Sequence, residues 1–545
     1  MTQETDDQTK SEIKAPKQDP MRSPAWLTLG ALILGIAFEV LFYGHSLGIS
    51  FLLWTGLCVA ALLGSARLEG RSIDRVTQVL IAPMLFFAGM TFLRREPLTT
   101  FLNVSMTLAL LALWVRAFRS GQLLKYGWLD FILAEVVVPL EAWIRPWPVL
   151  AQTQRQVFKE GERRQTALAL VRGVLLAAPI LAVFLALLTE ADLVFADRVQ
   201  AALQWLDLER LADLAGRVIV ILLSALFFLG AMVIALRERP DEDLFGERDP
   251  LVKPFLGFTE GVIVSGSVVL LFALFVIVQF AYLFGGEANI SSAGYTYAEY
   301  ARRGFGELVA VGVLTLSMIL SLAWVTKRKA GRQWTVFATL SAILVLEVGV
   351  ILSSALKRLL LYENAYGFTR LRTYTHIFIP WMGVLLAGFL ALLVLRRLRR
   401  FPIILLVVAL GFGATLNLIK IDAFIVNQNA ARLEQSGEVD GTYLASLSED
   451  ALPDLAAFSM DAPVETREEL LPELACWQAQ LEQRVAEQGW PSTHRSERRG
   501  LRALEAIEDD LAGYEIVQEE WGLWRIAFDD EPQACAQQDW RGGWD

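Results

Sequence analysis

The sequence predicts an all-α polytopic membrane protein of about 11 transmembrane helices, with a small, mainly helical C-terminal soluble domain. Three observations lead to this prediction. Long apolar stretches recur through the first 421 residues, the composition is 54% hydrophobic and 20% charged, and the last 124 residues are strongly acidic. Soluble domains have roughly 45–50% apolar and 25% charged residues. We therefore expect most of this chain to lie in a bilayer.

Each apolar stretch is about as long as a helix that crosses a membrane. The hydrocarbon core is roughly 30 Å thick, and a helix needs about 20 mostly apolar residues to span it. Eleven stretches reach or approach that length: Ala25–Tyr43, Ser50–Ala66, Val76–Phe92, Thr99–Val115, Ala167–Leu188, Val218–Leu236, Gly261–Phe284, Phe305–Val325, Trp334–Ala355, Thr375–Leu395 and Phe401–Leu418.

The polar ends of the chain complete the predicted domain organisation. Residues 1–24 are polar and predict a disordered cytoplasmic lead. The apolar run after them is too long for a signal-peptide core and lacks an obvious cleavage site, so we interpret it as the first span. Residues 25–421 are expected to form the transmembrane domain, and residues 422–545 an acidic extracytoplasmic helical domain.

The distribution of basic residues predicts the orientation. With the N-terminus inside and eleven spans, the cytoplasmic loops hold 27 Lys and Arg, against 10 in the outer loops. Cytoplasmic loops of membrane proteins carry such an excess. The bias therefore places the N-terminus inside and the C-terminal domain outside.

One segment decides whether that orientation holds. Tyr126–Trp147 is apolar, but it contains Asp130, Glu135, Glu141 and Pro139. Because an ionised group at the bilayer centre costs several kcal/mol, we expect an interfacial or re-entrant helix on the cytoplasmic face. If this segment spans instead, everything after it is inverted.

The C-terminal domain has its own charge and cysteine pattern. Residues 422–545 hold 9 Lys and Arg against 27 Asp and Glu, a net charge of −18. That charge disfavours nucleic acid or anionic lipid as a partner of this domain. Cys476 and Cys535 are a candidate disulfide on the oxidising side of the membrane, the alternative being two unpaired buried thiols. Cys58 lies in the second predicted span.

Local signals predict mainly helices in this domain. We expect residues 422–435 to continue the last span as a polar helix that Gly437 ends. Asp440 and Ser448 are candidate N-caps, and Pro453 is a candidate break. The alternation within residues 514–528 predicts one or two short strands.

Glu347 is the candidate intramembrane site, because it lies near the middle of a predicted span. Ionisable residues within spans are functional hypotheses by default. A carboxyl there must be protonated, paired or exposed to a wet cavity. The functional interpretation is a site that handles protons or cations, and the structural one is a protonated or paired carboxyl in the helix bundle.

Two predicted outer loops interleave aromatic, acidic and basic residues. They contain the sequences GYTYAEYARRGFGEL (294–308) and YENAYGFTRLR (362–372). In one interpretation, arginines with forked donors line a pocket for an anionic headgroup or phosphate. In the other, they form a structural lid by pairing with loop carboxylates or docking the acidic tail. The candidate outer-face residues are Glu299, Arg302, Arg303, Glu307, Glu363, Arg370 and Arg372.

A resemblance to a known protein family rests on these two blocks and on three further segments. The further segments are LFYGHSLGISF (41–51), NQNAAR (427–432) and DGTYLASLSEDALPDL (440–455). Together, in their chain order, these segments resemble the bacterial integral-membrane family of domain of unknown function 4173, which is related to the 4153 family. The likeness runs from about residue 25 to 460. It implies a multi-span protein of the bacterial inner membrane, and it implies no activity or catalytic residue.

Other function classes find no support in the sequence. There are only 3 histidines, with no HExxH motif or Cys/His cluster, no GxSxG motif and no P-loop. We predict no catalytic residue, cofactor or metal. The expected function is a non-enzymatic scaffold or sensory and regulatory component that contacts the bilayer and, at its outer face, an anionic lipid or protein partner. The alternatives are a transporter or lipid-handling protein that uses Glu347 and the outer arginines, and a transferase acting on a lipid-linked substrate.

Overall fold

The computed structural model describes residues 21–119, 121–157, single positions between 173 and 198, 208–237, 253–284, 305–329, 331–437, 439–519, 523–527 and 533–535. These residues divide into two compact units. The first unit lies within Met1–Glu39, Ala60–Ile73 and Pro139–Arg237, and the second within Val40–Val59, Asp74–Val138 and Glu238–Asp545.

Helices dominate the described residues before the C-terminal domain. In chain order they are α1 (Pro24–Phe42), α2 (Ile49–Leu68), α3 (Arg75–Gln78), α4 (Ile81–Leu93), α5 (Pro97–Ala117), α6 (Trp128–Ile144), α7 (Trp147–Val157), α8 (Leu208–Leu236), α9 (Phe258–Phe284), α10 (Phe305–Val325), α11 (Arg332–Tyr366), α12 (Arg370–Val394) and α13 (Phe401–Ile419).

Ten segments of the described residues are long and apolar enough to cross a membrane. They are α1, α2, α3 together with α4, α5, and α8 to α13. Each coincides with one predicted span, which confirms the all-α polytopic fold class. The remaining prediction, Ala167–Leu188, falls mostly outside the described residues.

The segment 126–147 contains α6, a helix of 17 residues with Pro139 inside it. This helix is not among the ten segments that could cross a membrane. Its interfacial or re-entrant placement remains a prediction, and so do the domain limits at residues 24 and 421.

Glycines allow close helix contacts in the first unit. A Cβ added to Gly230 would lie 1.8 Å from the carbonyl oxygen of Ala142, and one added to Gly35 would lie 2.5 Å from that of Ile221. Bilayers provide little hydrophobic drive for helix association, so small residues that let backbones approach are favoured at such contacts.

The second unit has an apolar core among α9 to α13. Leu344 and Val348 of α11, Phe389 of α12 and Phe401 of α13 are almost completely buried there. A polar contact joins α13 to α5 elsewhere in this unit. Asn103 and Asn417 exchange amide hydrogen bonds of 3.0 and 2.7 Å, which satisfies the buried amide groups in both directions.

The C-terminal domain packs further helices against a small sheet. In chain order they are α14 (Ile421–Ser436), α15 (Gly441–Ala445), α16 (Leu452–Asp461), α17 (Val464–Glu487), α18 (Arg495–Glu505), α19 (Glu508–Leu511), β1 (Glu515–Gln518), β2 (Trp524–Ala527) and β3 (Gln533–Ala534). The strands pair antiparallel in the order β1-β2-β3. A disulfide between Cys476 in α17 and Cys535 after β3, with a Cα–Cα distance of 6.2 Å, ties the sheet to the helices.

The polar helix after the last span is separated from it by one left-handed residue. Lys420 has φ 58° and ψ 73°, and this left-handed residue separates α13 from α14. The expected polar helix over residues 422–435 is present as α14, but the expectation that it continues the last span was wrong. Left-handed backbone is ordinarily marked by glycine or asparagine, so a lysine at this position gives no sequence signal.

Of the other local signals in this region, two agree with the structure and two do not. Gly437 ends α14 with φ 71°, and Asp440 caps α15 by accepting from the backbone of Tyr443, as expected. Ser448 caps no helix, because its hydroxyl is bound elsewhere. Pro453 starts α16 rather than breaking it, since proline loses no helical hydrogen bond in the first turn.

Candidate functional site

The C-terminal domain contacts the ends of several spans through polar side chains that we call the junction. All of them belong to the second unit. The turn between α4 and α5, the start of α12 and the start of α14 bring the main members together. The junction consists of Arg95, Glu96, Arg370, Asp422, Ser448, Glu449, Arg484 and Glu497.

Asp422 is the most completely bound carboxylate of the junction. Arg370 forks onto it, with Nε 2.8 Å from Oδ1 and Nη2 2.6 Å from Oδ2. The backbone N–H and hydroxyl of Ser448 donate to Oδ2 at 2.8 and 2.6 Å. The Asp422 side chain is 0% exposed and that of Arg370 is 14% exposed. Planar, forked pairs of this kind are strong and geometrically specific.

Two tyrosines extend this contact. The backbone N–H of Arg370 donates to the hydroxyl of Tyr443 at 2.8 Å. Burial raises the pKa of Tyr443, so its phenol stays protonated. Tyr374 donates to the carboxylate of Glu96, which also accepts from the backbone N–H of Thr99 at 2.7 Å. Glu96 thereby caps α5 and holds α12 at the same time.

The other half of the junction is a balanced group of two arginines and two glutamates. Arg95 Nη1 lies 2.6 Å from Glu497 Oε1, and Arg484 Nη1 lies 3.5 Å from the same oxygen. Arg484 also binds Glu449, and Arg95 Nε lies 3.9 Å from that glutamate. Glu497 is 1% exposed. Mutual neutralisation allows these charges to be buried.

The block 362–372 was expected to be a loop, but only residues 367–369 lie outside α11 and α12. The block is held both by its own residues and by α14. Glu363 is fully buried and lies 2.9 Å from Nδ1 of His376. Arg372 stacks 4.0 Å from the ring centroid of Tyr362 and donates to the carbonyl of Gly367. An arginine held by the ring and the carbonyls of this same block serves first to fix the turn between α11 and α12.

Asn429 of α14 supplies the main contact to this turn. Its side chain accepts from the Phe368 N–H and donates to the Phe368 carbonyl, both at 2.9 Å. Gly367 adopts φ 76°, and a Cβ there would lie 2.3 Å from the Asn429 oxygen. Both the backbone conformation and the close approach require glycine.

The loop 43–48 between α1 and α2, together with the first residue of α2, also contacts the C-terminal domain. The N–H of Ser46 donates to the Ser492 hydroxyl at 2.9 Å, and the N–H of Ile49 donates to the Thr493 carbonyl at 3.1 Å. The blocks 41–51 and 362–372 thus both contact the C-terminal domain, which itself contains the blocks 427–432 and 440–455. These are four of the five sequence segments that carry the family resemblance.

The predicted outer-face residues differ in where they lie. Glu307 is exposed in the first turn of α10. Arg370 docks the acidic tail, which was one of the two interpretations left open. Glu299, Arg302 and Arg303 lie outside the described residues.

Glu347 lies in α11 and is half-buried. Its Oε2 is buried, with no hydrogen-bond partner among the residues that the structure describes. It is not part of the junction.

None of the four carboxylates of the junction was among the site residues predicted from the sequence. Asp422 contacts an arginine 52 positions away, and Glu497 contacts one 402 positions away. Pairings so distant in sequence leave no local pattern. Glu96 did have a signal, since an acidic residue immediately before Pro97 is typical of a helix start.

The described residues contain no group of three or more His, Cys, Asp or Glu side chains arranged to hold a metal ion. Neither the curated proteins nor the solved structures include a match to this chain. A family model does match residues 81–458, which is more than half of the chain. It is the relative of the family predicted from the sequence blocks, not that family itself. The chain belongs to the family described as Domain of unknown function (DUF4153).

Proposed function

We propose that this chain is a non-enzymatic scaffold or sensory and regulatory protein of the bacterial inner membrane. Its C-terminal domain takes a ligand or a protein partner and passes the binding event to the spans. The junction is the observation that supports this role. It fastens Asp422 and Glu497 of the domain to Arg370 and Arg95 at the ends of spans.

Such a connection makes the domain and the spans move together. Removing one partner of a buried ion pair costs about 3–5 kcal/mol, because the other charge is left uncompensated. A displacement of α14 or α18 therefore has to be followed by the ends of α12 and α4, or the pairs must break. Coupling of this kind is how a local binding event acquires a distant effect.

The proposed coupling is tested by hydrogen exchange on the full chain in detergent. We expect Asp422→Asn to raise exchange both in α14 and at the start of α12. The matched control is Asp461→Asn, which makes the same change of side chain at an exposed position of α16 away from the junction. If only the domain loosens while α12 keeps its protection, the domain is a passive attachment and the proposal fails.

We further propose that the C-terminal domain faces the periplasm and the N-terminus the cytoplasm. The basic-residue bias and the disulfide support this orientation. Single cysteines at the exposed positions Glu487 and Lys329, in a Cys58→Ala background, test it. Labelling of position 487 but not of 329 from outside intact cells is expected, and the reverse would place the domain in the cytoplasm.

A transporter role is the second candidate, supported by the unpartnered buried oxygen of Glu347. Carboxyls of this kind within spans take part in proton relays. Proteoliposomes holding a pH-sensitive dye would report proton flux under an imposed gradient. Flux that is present in the wild-type chain and absent in Glu347→Gln would replace the scaffold proposal with this one.

A further inference from the structure

A cavity of about 180 Å³ lies where α4 and α13 end and the C-terminal domain begins. A water molecule needs roughly 10–15 Å³ of such space, so this cavity has room for a polyatomic ion. Four cationic side chains line it: Arg94, Lys420, Arg495 and Arg499. In the part of the chain that the structure describes, none of the four forms an ion pair with a carboxylate.

The acidic residues of the same cavity are already engaged. Glu449 is bound by Arg484. Asp450 accepts from the backbone N–H groups of Arg95 and Glu96 at 2.9 and 3.2 Å. Asp454 accepts from an amide side chain at 2.9 Å. These carboxylates therefore already have hydrogen-bond donors, while none of the four cations is within ion-pair distance of a carboxylate in the described residues.

The N-terminus of α18 also lines the cavity. The N-cap residue, His494, makes no side-chain capping bond, and the first N–H groups of a helix have no partner within it. Ser496 in the first turn is 4% exposed and lines the cavity. Its hydroxyl oxygen has no hydrogen-bond partner among the described residues. A helix N-terminus favours an anion through its free donors and its dipole.

The electrostatics of Arg94 agree with this geometry. Burial lowers the pKa of Arg94, Asp450 raises it, and the nearby charge of Arg499 lowers it again. Two arginines that crowd each other around a cavity are stabilised when an anion lies between them.

We propose that this cavity binds a phosphate group, either that of a phospholipid headgroup or free phosphate. Arginine forks match the geometry of phosphate oxygens, and Ser496 and the first turn of α18 add neutral donors. Leu93 ends a candidate span and Lys420 directly follows another, so the cavity lies at the level where headgroups lie. This assignment is independent of the proposed scaffold or sensory role, because it concerns binding alone.

Binding to the full chain in phosphate-free detergent tests the site. One arm measures radiolabelled inorganic phosphate by equilibrium dialysis, and the other measures retained phosphatidylglycerol by native mass spectrometry. The test variant is Arg495→Gln with Arg499→Gln. The matched control is Arg498→Gln with Arg502→Gln, which makes the same charge change at exposed positions of α18 away from the cavity.

We expect the test variant to weaken binding about tenfold or more, and the control to stay within about twofold of wild type. Ser496→Ala should weaken binding without changing the charge. A loss in the dialysis arm alone identifies free phosphate, and a loss in the lipid arm identifies a headgroup. If wild type binds neither probe, or if both double variants bind alike, the proposal is overturned.

Discussion

The junction and the phosphate cavity are neighbouring parts of the same unit and share Glu449, yet they use arginine in opposite ways. In the junction, Arg370, Arg95 and Arg484 each contact a buried carboxylate. In the cavity, Arg495 and Arg499 line an open space without an ion pair in the described structure. Local pairing, rather than the net charge of the domain, decides whether a cation fastens the fold or remains available to a ligand.

The largest effect is expected at the centre of the junction. Asp422→Ala leaves Arg370 largely buried without its carboxylate and removes the acceptor of Ser448. We expect the free energy of unfolding to fall by about 3–5 kcal/mol. Denaturant titration in detergent, followed by tryptophan fluorescence, measures it.

The matched control for that change is Asp461→Ala at the exposed end of α16. Exposed substitutions away from special features usually change stability by less than about 0.5 kcal/mol. Equal effects of the two variants would mean that the junction contributes no more than an exposed acidic residue does.

A smaller loss is expected in the other half of the junction. Glu497→Gln keeps the shape of the side chain but removes a 1% exposed charge that lies 2.6 Å from Arg95. Because hydrogen bonding to the amide remains, we expect a loss of about 2 kcal/mol. Glu505→Gln, at an exposed position of α18, is the control and should be nearly neutral. A loss as small as that of the control would show that Arg484 and Arg95 are satisfied by Glu449 alone.

Asp450 adds a pH dependence at the boundary between the two regions. Partial burial raises its pKa to about 6 from an ordinary 3.8. Charged groups around it come from several elements: Arg94, Arg95, Lys420, Asp422, Glu449, Asp454, Arg495 and Arg499. A pKa raised by folding means that the folded state binds the proton more tightly. The resulting stability is present below about pH 4 and is lost as the pH rises through about 6.

Thermal unfolding of wild type and Asp450→Asn between pH 4 and pH 8 isolates this contribution. The stability of wild type relative to the variant should fall between pH 4 and 6 and stay level above about 7. His494, whose pKa burial lowers, titrates in both proteins and cancels in the comparison. A difference that does not change with pH would contradict the raised pKa.

Much of the fold follows from local sequence. Apolar runs of about 20 residues predict the spans because helix length must match bilayer thickness. Gly437 and Asp440 predict helix ends because each acts on its own neighbouring backbone. The break at Lys420 and the role of Pro453 escaped prediction, because a lysine in left-handed backbone and a proline in a first turn depend on what packs around them.

The sequence predicted only part of the candidate site. Arg370 and Glu363 stood out because they are charged and lie among aromatic residues, but their partners Asp422 and His376 did not. The phosphate cavity had no sequence signal at all. Its cations come from the ends of α4 and α13 and from α18, which are far apart in the sequence. The acidic composition of the C-terminal domain gives no indication of a cationic cavity.

The smallest stability effect is expected in the cavity, and it separates the two regions most directly. Arg499→Gln removes an exposed guanidinium that forms no ion pair in the described structure and that repels Arg94. We expect unfolding to change by less than about 0.5 kcal/mol, while phosphate binding weakens. Denaturant titration and dialysis on the same sample measure both. A residue that fastens the fold would lose stability and binding together, so a loss as large as that of Glu497→Gln would assign Arg499 to the junction. An unchanged free energy of unfolding with weakened phosphate binding would instead show that Arg499 contributes to ligand binding and not to the stability of the fold.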